Sequence, residues 1–221
     1  MEKFDVIIIG SGIGGLISAG LLSSRGLKVL VLEKHSSAGG YLSSFKRKDF
    51  TFDSAVDCIS GIGDGGLISS VLRMLGVEKS IEFVRVNPIR TSIFPDIKIN
   101  VDADINVYIE SLKKLFPSEK DNIENLFIKI TEIYSAIEEK LDSLTNGTSN
   151  QFTQNSRAYQ YAMMTYSELI EEFTKDRKLT AILSDRCPFT GLPASKVSAL
   201  TLVALMMSYF RMGAHRPVGG H

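Results

Sequence analysis

Two uncharged, β-branched runs flank a stretch of small residues at the head of this chain. Asp5-Val6-Ile7-Ile8-Ile9 shows no alternation of polar positions after its first residue. That is the pattern of a strand buried on both faces in a parallel sheet, and it stops at Gly10. Ile13 to Arg25 reads as a helix of small and apolar residues, closed by Gly26 at the C-terminal cap. Lys28-Val29-Leu30-Val31-Leu32 is a second buried strand, ending at Glu33. The three elements make a β-α-β unit in about thirty residues. A loop rich in Ser and Gly follows from Ser36 to Ser44, then a small strand near Phe50-Thr51-Phe52, and a helix over Leu67 to Leu75 that Gly76 stops.

From about Ile81 the character changes. Ile97, Ile99 and Val101 alternate with polar residues, as in a half-exposed strand. Ile105 to Phe116 predicts a helix ended by Pro117, and Ser118 then caps a long one. Its apolar residues Ile123, Leu126, Phe127, Ile130, Ile133, Ile137, Leu141 and Leu144 recur at gaps of three and four, a continuous stripe. Asn146-Gly147 ends that helix, and Thr148 to Ser156 reads as a polar loop. Further helices are expected over Ser167 to Phe173, Asp176 to Ser184 and Ser195 to Phe210. The expected class is α/β, with a Rossmann-like N-terminal domain carrying an inserted, mostly helical module.

The 221 residues balance 25 Lys+Arg against 25 Asp+Glu, so no global field favours nucleic acid. Nucleic-acid binding is excluded on this ground. Cys58 and Cys187 are the only cysteines, too few for a zinc set, and read as reduced thiols of a cytoplasmic protein. Val6 to Ser24 is uncharged, but no positive segment precedes it, five glycines break it, and Glu33 and Lys34 close the next apolar run. It is therefore read as neither a signal peptide nor a span. Val197 to Phe210 is uncharged over 14 residues, too short to cross a bilayer but suited to lining an apolar tunnel.

Gly10-Ser11-Gly12-Ile13-Gly14-Gly15 follows the first strand and opens the helix, fitting G-x-G-x-x-G at Gly10, Gly12 and Gly15. Gly10 permits the tight turn, and Gly12 lets the backbone approach a pyrophosphate without a Cβ in the way. Gly15 lets helix and strand lie close. The free N–H groups and the positive dipole end at Ile13 to Gly15 then face a diphosphate. Glu33 lies at the end of the second strand, 18 residues past Gly15. A carboxylate there accepts from ribose hydroxyls and repels a 2′-phosphate, which leaves FAD or NAD and removes NADP. Gly39-Gly40 suits a chain crossing back past a flavin nucleotide, although its loop composition alone decides nothing.

The string from Gly10 to Asp53 resembles the N-terminus of the phytoene desaturase, carotenoid isomerase and retinol saturase group. Glu33-Lys34-His35, Ser44-Phe45 and Phe50-Thr51-Phe52-Asp53 are most similar to the isomerase and saturase branch. Ser198-Ala199-Leu200, Tyr209 and Pro217-Val218-Gly219-Gly220 resemble that group's return segment. The resemblance implies FAD held by Gly10, Ser11, Gly12, Ile13, Gly14, Gly15, Glu33, Lys34, Gly39, Gly40 and Tyr41. It implies an oxidoreductase (desaturase, saturase or redox-neutral isomerase) acting on a carotenoid-like or other apolar polyene. Residues 1–84 would form the FAD-binding part, 85–208 the helical substrate domain and 209–221 a return. The thioethers of Met206, Met207 and Met212 would suit a tunnel wall. The location implied is cytoplasmic, with peripheral membrane contact as an extension.

Two departures qualify the likeness. Ser54 and Asp57 stand where the group has a glycine and often a histidine. The group also continues well past the position of His221, so a fragment or one half of a split enzyme with a partner chain is expected, its sheet incomplete. No side chains show a nucleophile–base arrangement, and no catalytic residue or metal site is assigned. An amine oxidase-type flavoenzyme is the alternative within the class, but its arginines before and after Gly-Gly are replaced by Ser37 and Tyr41. A non-catalytic nucleotide-binding remnant is the alternative outside it.

Overall fold

The computed structural model describes residues 2–145 and 157–219, with the backbone alone at 142–145. The turn expected at Asn146-Gly147 and the loop Thr148 to Ser156 lie outside the described residues, as do Gly220 and His221. The chain divides into two units, Met1–Val86 with Met212–His221, and Asn87–Arg211.

The first unit opens with β1 (Val6–Ile9), α1 (Ile13–Ser23) and β2 (Val29–Leu32). β1 and β2 are parallel, in register from Val6 opposite Val29 to Ile9 opposite Leu32. Gly26, at φ 85°, turns the chain after α1, its N–H donating to the Ser23 carbonyl. Here one expectation is corrected. β1 is not buried on both faces: Ile7 is 59% and Ile9 89% exposed. The sheet has two strands, and α1 lies against the side that carries Ile8. The alternate side chains, which point to the opposite face, meet no cover among the described residues.

An antiparallel hairpin follows, β3 (Ser44–Arg47) with β4 (Phe50–Asp53). β4 is the small strand that the sequence predicts, whereas β3 has no apolar pattern that announces it. α2 (Leu67–Met74) stops where Gly76 adopts φ 72°. β5 (Phe83–Val86) completes this stretch.

The second unit begins with an antiparallel pair, β6 (Arg90–Ile93) and β7 (Lys98–Val101). Ile99 and Val101 are buried while Lys98 and Asn100 are exposed, the alternation read from the sequence. Its helices are α3 (Ile105–Leu115), α4 (Lys120–Thr145), α5 (Arg157–Met163), α6 (Tyr166–Glu171), α7 (Arg177–Leu183) and α8 (Ala199–Met212). Side-chain oxygens cap three of them. Asp104 accepts from Asn106 N–H, Thr165 and Glu168 form a reciprocal capping box, and Asp176 accepts from Lys178 and Leu179 N–H. Ser118 is not a cap. It sits inside a 3-10 turn over Pro117–Glu119, which the fixed φ of Pro117 favours, and α4 starts at Lys120.

The long stripe on α4 is buried at Ile123, Leu126, Phe127, Ile130 and Ile133, whereas Leu141 is exposed. Leu112 of α3, Leu169 and Ile170 of α6, and Leu202 and Val203 of α8 complete this core. α8 is thus a core helix. The cavity lined by Met206 with Ile89, Tyr108 and Phe210 measures about 20 Å³, room for one water. After α8 the chain returns to the first unit as β8 (Ala214–Pro217), antiparallel to β5.

Candidate dinucleotide site

The turn between β1 and α1 is built as the glycine spacing predicts. Gly10 has φ 98°, a backbone conformation that side chains with a Cβ rarely adopt. A Cβ added to Gly15 would stand 2.1 Å from the Gly10 carbonyl oxygen and 3.4 Å from Cγ2 of Ile8. Helix and strand therefore pack through a position that admits only hydrogen. Gly12 and Gly14 are glycine for another reason, since Cβ atoms there would meet nothing within 4 Å. The room they leave is in front of the helix, not inside it.

That space faces unspent donors. Gly12, the N-terminal cap of α1, has no side-chain partner, and no acidic residue lies in the first turn. Among the described residues, no acceptor meets the N–H groups of Ile13, Gly14 or Gly15, and the first helical bond is Leu16 N–H to the Gly12 carbonyl. Orphan donors at the positive end of an 11-residue helix suit an anion such as a diphosphate.

Gly61-Ile62-Gly63-Asp64-Gly65-Gly66 also leads into a helix, α2, and shows the contrast. Two donors of its first helical turn, and one of its loop, are already used. Ile68 and Ser69 N–H both donate to the Gly61 carbonyl, and Gly63 N–H donates to Ser69 Oγ. Asp64 adds a negative charge to the loop. The two turns share composition, yet only the first keeps an open anion cradle.

Glu33 is held in place by hydrogen bonds. Its Oε2 accepts from Ser11 N–H at 2.8 Å and from Ser11 Oγ at 2.7 Å, and its Oε1 accepts from His35 N–H at 2.9 Å. The Ser11 hydroxyl is the main cause that holds the carboxyl down at about 2, with the two N–H donors adding to it. Three of its roughly four lone-pair sites are occupied, so Oε1 keeps capacity for a ribose hydroxyl. Ser11 itself is buried. Sequence reasoning placed Ser11 among the FAD-holding residues but did not foresee its tie to Glu33, which joins the two ends of the β-α-β unit.

Gly39-Gly40 comes back onto the first turn. Gly39 N–H donates to the Ser11 carbonyl at 2.9 Å, and Gly12 and Gly39 form a parallel bridge. Gly39 and Gly40 have φ 112° and 60°, and a Cβ on Gly40 would lie 3.1 Å from Cα of Gly12. The second glycine pair is therefore needed by the backbone path itself. Beside it opens a cleft of about 450 Å³ lined by Glu33, His35, Ser36, Ser37, Gly40, Tyr41 and Ser43. Tyr41 is 87% exposed at its rim. Lys34 is exposed and does not line the cleft.

The sequence reads His35 as a loop residue near the adenosine edge, whereas Ser36, Ser37 and Ser43 are not singled out for this cleft, because their composition reads only as loop. Ser54, which replaces the group's glycine, donates from Oγ to the Tyr41 carbonyl at 3.3 Å and steadies that loop. Asp53 accepts from Ser44 Oγ, and Asp57 caps the Cys58 N–H. Among the described residues no group of three or more His, Cys, Asp or Glu is placed to hold a metal, and no helix is long and apolar enough to cross a membrane. Cys58 and Cys187 are both buried thiols, and burial pushes the Cys187 thiol up from its ordinary value.

The fold and the turn together define a Rossmann-like dinucleotide-binding unit. Residues 8–75 match the family described as the NAD(P)-binding Rossmann-like domain. Over 99% of its length the chain is 28% identical to prolycopene isomerase 1, chloroplastic, of an Oncidium hybrid cultivar, covering 39% of that relative. It is 26% identical to human all-trans-retinol 13,14-reductase, again over 99% of the chain and 38% of the relative. Among solved structures, an oxidoreductase from Methanosarcina mazei superimposes with a TM-score of 0.64 at 20% identity, over 97% of this chain and 46% of that one. These relatives bear out the resemblance to the carotenoid isomerase and retinol saturase branch and the α/β class. The chain spans about two-fifths of the length of the curated relatives that it matches.

Proposed function

We propose that the first unit holds the adenosine and diphosphate half of FAD, as part of an oxidoreductase acting on a carotenoid-like or other apolar polyene. One observation carries the nucleotide reading: the first turn of α1 presents unspent N–H donors to open space, while Glu33 is fixed beside the same turn. The N–H groups of Ile13, Gly14 and Gly15 would bind the diphosphate, and Glu33 would accept from the adenosine ribose. The glycines at 12 and 40 would let the cofactor lie against backbone, with Tyr41 and Ser37 at the cleft rim. Lys34 would act by charge from outside the cleft. FAD would supply hydride-transfer chemistry, for which the protein positions the reactants and excludes water. The substrate class, and the choice among desaturase, saturase and isomerase, rest on the likeness to the prolycopene isomerases and retinol 13,14-reductases. Two buried thiols without a disulfide support a cytoplasmic location.

The test is equilibrium dialysis of the purified chain against FAD, NAD and NADP, with the flavin read by its visible absorbance. Retention of FAD, with NADP bound least, supports the reading. NADP bound as tightly as FAD would contradict the role given to Glu33.

A second reading is favoured by the bare apolar face at Ile7 and Ile9: a non-catalytic remnant, or a unit that needs a covering polypeptide from a partner chain. Turnover of a polyene by this chain alone would rule it out.

A further inference from the structure

Two arginines of the second unit meet at one small space. The cavity of about 20 Å³ lies where β6, α3, α8 and the segment after α7 come together. Four polar residues line it, Arg90, Tyr108, Arg186 and Tyr209, among apolar ones such as Leu183 and Met206. All four carry hydrogen-bond donors, and a guanidinium has no acceptor at all. Among the described residues, no carboxylate lines the space.

Arg186 is the more deeply placed of the two, only 2% exposed. Rings cover its guanidinium, with the Phe189 centroid 3.4 Å and the Tyr209 centroid 4.9 Å from Cζ. Such contact offsets part of the cost of burying the charge. A ring over the group engages its charge and not its N–H donors, which lie in the guanidinium plane. Arg90 is tied to Asp185, donating to both carboxylate oxygens, one of which also accepts from Ser92 Oγ. That carboxylate offsets one of the two positive charges and stands outside the lining. Burial pushes the Tyr108 hydroxyl above its ordinary range, so it remains a proton donor at neutral pH.

We propose that this cavity binds a single chloride ion between the guanidinium groups of Arg90 and Arg186, with the Tyr108 hydroxyl as a further donor. Size sets the ligand class. A space of this volume takes one small monatomic ion, whereas a phosphate, sulfate or carboxylate group finds no room. Charge separates the ion from a water. In a lining this apolar, a unit negative charge beside two guanidiniums gains far more than a neutral dipole does. The ion fastens β6 to α8 and to the segment after α7, so its role is to hold the helical unit together. Every residue involved belongs to Asn87–Arg211, and the inference does not rest on the nucleotide reading.

The test is the thermal melt of the purified chain in sodium chloride against sodium gluconate at one ionic strength, gluconate being too large for the cavity. The midpoint should rise with chloride and saturate, gaining about 5 °C once chloride stands about tenfold above its dissociation constant. Bromide should take the place of chloride, and crystals grown in bromide should show its anomalous scattering in the cavity. Arg186→Met should abolish the chloride-dependent part of the melt. Tyr108→Phe keeps the ring and its packing, so it decides the matter even where Arg186→Met does not fold. It should raise the chloride concentration of half effect about tenfold. Equal midpoints in chloride and gluconate would overturn the proposal. So would bromide missing from the cavity at a concentration that saturates the melt, or a half-effect concentration left unchanged by Tyr108→Phe.

Discussion

Gly12 and Gly15 lie three residues apart in one turn, and the structure predicts opposite consequences for the same added methyl. At Gly15 the new Cβ would stand 2.1 Å from the Gly10 carbonyl oxygen, where real Cβ atoms essentially never come within 3.0 Å. The obstacle is backbone, so no side chain can swing aside, and α1 must lift from β1 by about 1 Å or the turn must deform. Overpacking of this kind costs about 1–3 kcal/mol. For a unit of this size that lowers the melting temperature by about 10 °C. At Gly12 the Cβ meets nothing within 4 Å, and φ −67° with ψ 172° is open to any residue. Gly12→Ala should therefore cost under about 1 kcal/mol, the small difference between glycine and alanine at a helix cap. Its methyl would stand where a diphosphate must approach. Loss of two charge-assisted hydrogen bonds amounts to about 3 kcal/mol, on the order of a hundredfold in affinity. Calorimetric melting, with titration of FAD or ADP, separates the pair. Similar melting of both variants, or unweakened nucleotide binding by Gly12→Ala, would refute the reasoning.

Three other outcomes are expected. Ser11→Ala removes the strongest influence on Glu33, so its carboxyl should rise from about 2 toward the ordinary 4.5, measurable by NMR titration of the carboxyl carbon. In the parent protein this carboxylate favours the folded state above about 4.5, and that contribution is lost as pH falls toward 2. Asp176→Ala strips α7 of a cap serving Lys178 and Leu179 N–H and should cost about 1 kcal/mol in denaturant unfolding. Leu202→Ala empties a fully buried position on α8 and should cost about 2–5 kcal/mol; a smaller loss would mean that the α8 core is loosely packed.

The sequence announced the β-α-β unit because everything that specifies it is local. The glycines at 10, 12 and 15, the run before them and Glu33 after β2 all act within one short stretch. β8 is the opposite case. Ala214-His215-Arg216-Pro217 has no strand pattern and becomes a strand by pairing with Phe83–Val86, far away in sequence. β3 likewise exists only through β4. Burial was legible where one face decides it, as at Ile99 and Val101, and misread at Ile7 and Ile9, because an all-apolar strand does not say how many of its faces are covered. Of the candidate site, the anion cradle could be read in advance. The bonds from Ser11 to Glu33 and from Gly39 to Ser11 could not, since they depend on where two loops meet.

The pairing of β5 with β8 has a consequence for how such a chain can change. Val86 and Ala214 are direct partners across that ladder, so the point where the chain leaves the first unit adjoins the point where it comes back. Everything between them hangs from a doorway one strand spacing wide. A short turn could join Val86 to Ala214 and leave the ladder intact, and helical inserts of other sizes could be grafted at the same threshold. The nucleotide-binding unit is in this sense a socket, able to exchange what it carries while its own strands keep their register.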